Sequence, residues 1–281
     1  MAKPRTTPTP PTDTPKETAR NRHALRVSAT GHRVDRIETL PEEVPVAMVV
    51  NGISHAVMLA TPADLADFAL GFCFTEGIIE SASELYDCEV VEQATGLELR
   101  LDIASQRFQQ FKQRRRSLAG RTGCGLCGVD SLDQACPAPQ AVPDTLRIPL
   151  ATLNHALLAL RDHQPLHRRT HAVHAAAWAD QNGRILLARE DVGRHNALDK
   201  VIGALLKQGT SPASGFCLVT SRASVEMVQK TARAGIELLF SLSAPTGLAV
   251  DTADQAGLTL AGSVFDDGFS LHTHPHRILL P

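Results

Sequence analysis

Two thiols three residues apart among three glycines, Gly123-Cys124-Gly125-Leu126-Cys127-Gly128, are the most reactive pattern in this chain. The glycines let the backbone turn tightly and leave the sulfurs uncovered. Upstream, Arg107, Lys112, Arg114, Arg115, Arg116 and Arg121 supply six cations in 15 positions, and no acid occurs between Asp102 and Asp130. Nearby cations favour thiolate over thiol, which raises the nucleophilic fraction of Cys124 or Cys127. The same cations can grip phosphates. Several chemistries fit such a pair. A structural zinc site needs about four Cys or His ligands, whereas here one pair stands with Cys136 nine residues on. A thioredoxin-like exchanger places its pair at a strand-to-helix turn. A sulfur carrier, or another nucleophilic cysteine, suits the exposed and electropositive setting best. Read alone, the arginines are a solvated charge run.

A zinc-dependent deaminase is excluded. Its signature joins His-x-Glu to a later Pro-Cys-x-x-Cys. This chain has His174-Ala175-Ala176, without the proton-shuttling acid, and its cysteine pair comes first, after Gly123 rather than Pro. Three polar turns mark the second half: Glu190 to Asn196, Thr220 to Ser224 and Ser241 to Thr246. Gly193 permits the first turn, and the helix that follows offers free N–H groups and a positive dipole end to an anion. Asp191 is placed to accept from a base or sugar, His195 opens the helix, and Arg194 and Arg222 are placed to pair with phosphate. Turns of this kind line the carboxyl edge of an open α/β sheet, where ligands bind, and point to a nucleotide-like ligand. The plainer account is helix capping by Ser, Thr and Asn. His272, His274 and His276 would share one face of a strand, a spacing that suits a metal or simply an exposed terminal strand; no metal is expected. Cys73 and Cys217 fall in apolar surroundings and read as core thiols, and Cys88 and Cys136 stay unassigned.

The elements that must position these groups follow from periodicity and punctuation. Residues 1–22 hold five prolines and six threonines but no Val, Ile, Leu or Phe, the composition of a disordered tail. Asn51-Gly52 between two apolar runs predicts a two-residue hairpin. Thr61 should cap a helix with Pro62 at its first position and Asp64 in its first turn, burying Leu65, Phe68, Ala69, Phe72 and Cys73, with Gly77 ending it. Residues 89–103 should add two strands. From 185 onward strands alternate with helices, which favours a mostly parallel sheet covered on both faces. The expected organisation is a tail over 1–22, a smaller N-terminal α+β domain over 23–118, and an α/β domain over 119–281 that opens with the cysteine loop, 119–140. With 43% hydrophobic and 21% charged residues, and a formal charge of −2, the chain has a globular composition and no global basic field for nucleic acid. No apolar run approaches the roughly 18 residues of a membrane helix, and the start lacks the apolar stretch of a secretory signal. The expectation is a cytoplasmic protein.

Taken together, these runs resemble the FdhD/NarQ family of formate dehydrogenase accessory sulfurtransferases from about Glu42 to Arg277. The resemblance rests on Val49-Val50-Asn51-Gly52, Thr61-Pro62-Ala63-Asp64-Leu65, Phe68-Ala69-Leu70-Gly71-Phe72 with Thr75-Glu76-Gly77, and the cysteine loop. It continues in His174-Ala175-Ala176-Ala177, the run from Glu190 to Lys200, and Ser243-Ala244-Pro245-Thr246. It implies a cytidine-deaminase-like layered α/β/α domain beside the smaller one, and a homodimer. It also implies a sulfur carrier in the cytoplasm: an IscS-type cysteine desulfurase would load a persulfide on Cys124, with Cys127 as partner. The sulfur would pass to the molybdenum cofactor, molybdenum bis-molybdopterin guanine dinucleotide, before that cofactor enters formate dehydrogenase. The alternative is a chaperone for the same cofactor that does no sulfur chemistry. One segment departs from the family. Where its cofactor-binding stretch tends to carry Arg-Gly-Gly-Arg, this chain has Ser263, Val264, Phe265, Asp266, Asp267 and Gly268. Backbone contacts there, or Arg194 and Arg222, would then have to hold the anionic cofactor.

Overall fold

The computed structural model describes residues 17–118 and 138–281. The chain begins with a two-stranded ribbon, β1 (Ala19–Val27) and β2 (Arg33–Pro41). Then β3 (Val44–Val50) and β4 (Ile53–Ala60) meet at the expected hairpin, with Asn51 and Gly52 both at positive φ, 44° and 79°. Helix α1 (Leu65–Thr75), β5 (Leu85–Gln93), β6 (Gly96–Ile103) and α2 (Ser105–Leu118) complete this unit. Its sheet has the order β4-β3-β6-β5, with β3 and β6 parallel. Alternation sorts the strands: Val46, Met48, Val50, Leu97, Leu99, Leu101 and Ile103 point inward onto Phe68, Phe72 and Cys73 of α1 and Phe111 of α2. Burying a side chain such as Phe68 or Leu99 contributes roughly 1.5–3 kcal/mol.

The second unit runs through β7 (Ile148–Pro149), α3 (Leu150–Ala159), α4 (Pro165–Thr170), β8 (His174–Asp180), β9 (Ile185–Asp191) and α5 (Arg194–Gln208). It continues with β10 (Gly215–Val219), α6 (Val225–Arg233), β11 (Leu238–Ser241), α7 (Gly247–Ala256), β12 (Thr259–Phe265), β13 (Gly268–Leu271) and β14 (Ile278–Leu279). Six strands form one sheet in the order β13-β12-β11-β10-β8-β9. Leu198, Val201 and Ile202 of α5, Met227 and Val228 of α6 and Ala249 and Ala253 of α7 cover one face, and Leu146, Ile148, Leu153, Ala156 and Ile278 cover the other. The result is the layered α/β/α architecture expected. No helix among the described residues is long and apolar enough to cross a membrane.

Four expectations need correction. The ordered chain starts before residue 23, because Ala19 to Arg22 pair with Glu38 to Pro41 in the ribbon; residues 1–16 lie outside the described residues. The large sheet is mixed rather than mostly parallel: β10, β11 and β12 are parallel, while β8, β9 and β13 join antiparallel. Thr61 does not cap α1, which starts after Asp64 in the left-handed region (φ 54°) without a side-chain cap; Thr61 is drawn instead to β9. The histidines 272, 274 and 276 share no strand, because β13 ends at Leu271 and His274 itself turns into the left-handed region (φ 43°). His274 instead meets Asp254 and His276 meets Asp144. The described residues contain no His, Cys, Asp or Glu cluster able to hold a metal ion.

Candidate functional site

Because β8 runs against both β9 and β10, the carboxyl ends of β9, β10, β11 and β12 all reach one edge of the sheet. The three polar turns meet there as expected, but their residues divide into those that hold the edge together and those that face outward. Asp191 belongs to the first group. Fully buried, it accepts from Lys200 Nζ (2.6 Å) and Thr61 N (3.0 Å) at one oxygen and from Gly193 N (2.8 Å) and Asn196 Nδ2 (3.0 Å) at the other. Lys200 also donates to the Thr61 carbonyl (3.0 Å), Asn196 to the Leu59 carbonyl (2.8 Å), and the Val192 N–H to the Thr61 hydroxyl (3.2 Å). Both its oxygens are therefore engaged by the joint between the two units rather than turned outward. Gly193 is required beside it, because a Cβ there would lie 2.7 Å from Asn196 Nδ2.

The hydroxyls are also spent internally. Ser241 donates to the Ser221 and Ser243 carbonyls, Ser243 to the Thr220 carbonyl, and Thr246 caps α7 by accepting from Ala249 N. Basic groups gather in the middle of this edge: half-buried Arg194 and His195 begin α5, half-buried His174 begins β8, and Arg222 is exposed in the turn after β10. Arg194 Nε is buried without a hydrogen-bond partner. Burial first, then the positive charges of Arg194 and His167, hold His174 below the ordinary histidine value. His195 Nε2 lies 2.8 Å from Glu226 Oε2, and that hydrogen bond is the main reason Glu226 sits below the usual carboxylate range. At the far end of the edge, Ser263 to Gly268 form the bulged tip between β12 and β13, with Ser263 at φ 57°. The Ser263 and Val264 N–H groups are held by the Ser243 and Leu242 carbonyls, while Val264, Phe265, Asp266 and Asp267 project into solvent.

Beside this edge a cleft of about 1040 Å³ opens between the two units, and Gly193, His195 and Asn196 belong to both. Its floor is a second buried joint: Lys230 Nζ meets Asp199 (2.9 Å), Thr75 (2.8 Å) and Glu76 (2.9 Å). Burial alone would push Lys230 down, but the carboxylates of Asp199 and Glu76 outweigh it and hold the ammonium above its ordinary value. Arg114 donates to the Glu76 and Gly77 carbonyls and Arg233 to the Phe74 carbonyl, so two guanidinium groups complement the carboxyl end of α1. The wall is thus polar and ion-paired rather than uniformly basic. Cys124, Cys127 and Cys136 lie outside the described residues, as does Arg121. Of the described residues on either side of them in the sequence, Arg114 on α2 and Ala138 to Gln140 line this cleft. Cys73 and Cys217 are buried, and burial pushes the Cys217 thiol up to about 12 and raises Cys73 as well, as suits core thiols. Cys88 is half-buried on β5.

Thr61, Thr75, Asp199, Lys230 and Glu226 were not anticipated as site residues. The signal for the first joint was present in the spacing of Asp191, Asn196 and Lys200, which sets the end of β9 against the first two turns of α5; their partner Thr61, 130 residues before Asp191, was not legible.

Comparison with known proteins extends over most of the chain. A model of the FdhD/NarQ family matches residues 41–279. The chain is 50% identical over 243 residues to a protein of Bordetella petrii named sulfur carrier protein FdhD, covering 86% of this chain and 87% of that one. It is 53% identical over 241 residues to a protein of the same name from Cupriavidus necator, covering 86% and 84%. Among solved structures, the crystal structure of a candidate formate dehydrogenase accessory protein from Desulfotalea psychrophila superposes with a TM-score of 0.72 at 26% identity, over 94% of this chain and all of that one.

Proposed function

The chain belongs to the FdhD/NarQ family, and from that premise we propose that it is a sulfur carrier serving formate dehydrogenase, with Cys124 as the sulfur-bearing residue. In the proposed cycle the Cys124 thiolate attacks the outer sulfur of a cysteine desulfurase (IscS-type) persulfide, and the desulfurase cysteine leaves as thiolate. Attack of the Cys127 thiolate on the inner sulfur would then expel hydrosulfide and leave a Cys124–Cys127 disulfide, so the two cysteines supply the two electrons that sulfide release requires. A thiol reductant would reset the pair. The acceptor, on this reading, is the molybdenum cofactor as substrate. Its anionic guanine-dinucleotide phosphates would lie on the basic edge formed by Arg194, His195, His174 and Arg222, with the backbone of Ser263 to Gly268 closing the far end. The setting is cytoplasmic and the working form a homodimer.

The observation that carries the reading is the shared border. The turn that holds Gly193, His195 and Asn196 belongs at once to this edge and to the cleft, which is also lined by Arg114 of α2 and by Ala138 to Gln140, on either side of the cysteine segment in the sequence. Incubating the purified chain with a cysteine desulfurase and cysteine should add one sulfur, about 32 Da on the cysteine oxidation ladder, mapping to Cys124 and absent from Cys124→Ala. A chain that activates formate dehydrogenase without gaining sulfur would instead be a cofactor chaperone, and the sulfur reading would fall.

A further inference from the structure

The half-buried ring of His174 has no hydrogen-bond partner among the described residues, and the backbone explains its surroundings. As the first residue of β8, it is paired in register with Asp191, the last of β9. The chain then turns back through Gly193, whose N–H bonds to Asp191 (2.8 Å), so that Arg194 and His195 follow at once. From α4, His167 Nδ1 lies 3.1 Å from the carbonyl oxygen of Val173, the residue before His174. On the side of β10 the neighbour is neutral, because the Ala175 N–H donates to the Thr220 hydroxyl (2.9 Å). The ionisable groups around the ring are thus Asp191, Arg194, His195 and His167. Asp191 is occupied by Lys200 and its other donors, and His195 bonds to Glu226 (2.8 Å). Arg194 differs from them. Its side chain forms no ion pair or hydrogen bond among the described residues, although its Nε is buried.

A half-buried guanidinium and a half-buried imidazole, both without partners, cost stability unless an acceptor completes them. Their charges also compete. Burial and then the charges of Arg194 and His167 hold His174 below the ordinary histidine value, and the carboxylate of Asp191 works the other way without overcoming them. An ordinary histidine is half charged near pH 6.5, about, so at neutral pH this ring is a neutral imidazole. A phosphate dianion set against Arg194 reverses the balance. It offsets the repulsion from the guanidinium and adds an attraction of its own, in a half-buried place where salt screens little. An opposite charge within about 4–6 Å favours the charged form by about 1–3 pH units.

We infer that a phosphate dianion bound against Arg194 and His174 brings a proton with it: the His174 ring takes one from solvent as the anion binds, holds the phosphate as imidazolium, and returns the proton when the anion leaves. Arg194 is then the permanent anchor and His174 the adjustable one, so affinity at this edge follows pH. The inference rests on the proposed placement of cofactor phosphates here and adds their coupling to protons. Nuclear magnetic resonance of the full chain, labelled at histidine Cε1, reads the ring directly, with His174→Gln assigning its signal and inorganic pyrophosphate as the probe. The His174 pH midpoint should rise by at least about 1 unit at saturating pyrophosphate. Between the two midpoints, pyrophosphate affinity should fall by up to about tenfold per pH unit beyond any fall in His174→Gln. Without pyrophosphate, Arg194→Gln should raise the midpoint, because the repelling charge is gone; Trp178 fluorescence checks that both variants are folded. A His174 signal that moves with pyrophosphate while its midpoint stays fixed overturns the inference and leaves the phosphate edge intact. Pyrophosphate that moves no histidine signal at any pH removes the edge reading and the inference with it. Failure of persulfide loading touches neither.

Discussion

Asp191 stood among the residues expected to touch a ligand, and its surroundings assign it a structural role that one substitution separates from that one. In Asp191→Asn the size is kept but every neighbour is a donor: Lys200 Nζ and Thr61 N at one oxygen, Gly193 N and Asn196 Nδ2 at the other. Whichever way the amide turns, its NH2 faces two of them. Rotating Asn196 to compensate would forfeit its bond to the Leu59 carbonyl. The substitution also leaves Lys200 charged at zero side-chain exposure. Removing one partner of such a pair costs about 3–5 kcal/mol, which for a chain of this size lowers the melting midpoint by roughly 6–20 °C. Lys200→Met should cost a similar amount, and Asp191→Asn with Lys200→Met should recover much of it, because no uncompensated buried charge is left. Trp178, the only tryptophan and buried in β8, reports unfolding directly. If Asp191→Asn melted with the wild type but lost nucleotide binding, the buried-joint argument would be refuted and the ligand role reinstated.

Two further outcomes follow from geometry. Gly71→Ala and Gly203→Ala place a Cβ 1.8 Å from the Asp199 carbonyl oxygen and 1.9 Å from that of Asp67, both backbone atoms; each should cost several kcal/mol, about 3 or more by the scale of overpacking and strain, whereas Gly247→Ala, with nothing within 4 Å, should melt unchanged in the same denaturation assay. Buried Glu237 on the way into β11 joins Arg277 near the carboxyl terminus to Thr145 and Leu146, and acid tests that link. Burial works to raise its pKa, but bonds from Leu146 N, Thr145 and Arg277 win and hold it below the ordinary glutamate value. Its contribution is therefore complete above the unfolded value and is lost as pH falls through the lower folded one, so acid titrations followed at Trp178 should lose stability on that limb in the wild type and show a shallower slope in Glu237→Gln.

Local signals in the chain were legible where one short run decides the structure. Asn51-Gly52 needs only its own φ angles, and the apolar faces of α1 and α5 need only their spacing. The elements that went unread lack such signals. β8 is His174-Ala175-Ala176-Ala177-Trp178-Ala179-Asp180, buried on both faces, so it shows no alternation and its alanines favour helix. The ribbon was partly concealed by the proline- and threonine-rich run before it, and its strands have charged residues on both faces. At the site, the basic edge was readable from strand-to-helix turns, because helix starts are local. The function of Asp191 was not, because Thr61 and Leu59 come from a different unit, and a carboxylate aimed at a ligand and one aimed at a distant backbone have the same sequence.

The two glycines at the crossing of α1 and α5 also set how closely the two units stand. With Gly71 against the Asp199 carbonyl and Gly203 against that of Asp67, the helix backbones touch, and shifting either along its axis would drive neighbouring side chains into main chain. The crossing therefore holds the two helices, and with them the two units, in one register at backbone contact. The walls of the cleft thus stand on a contact between two glycines that do not themselves line it.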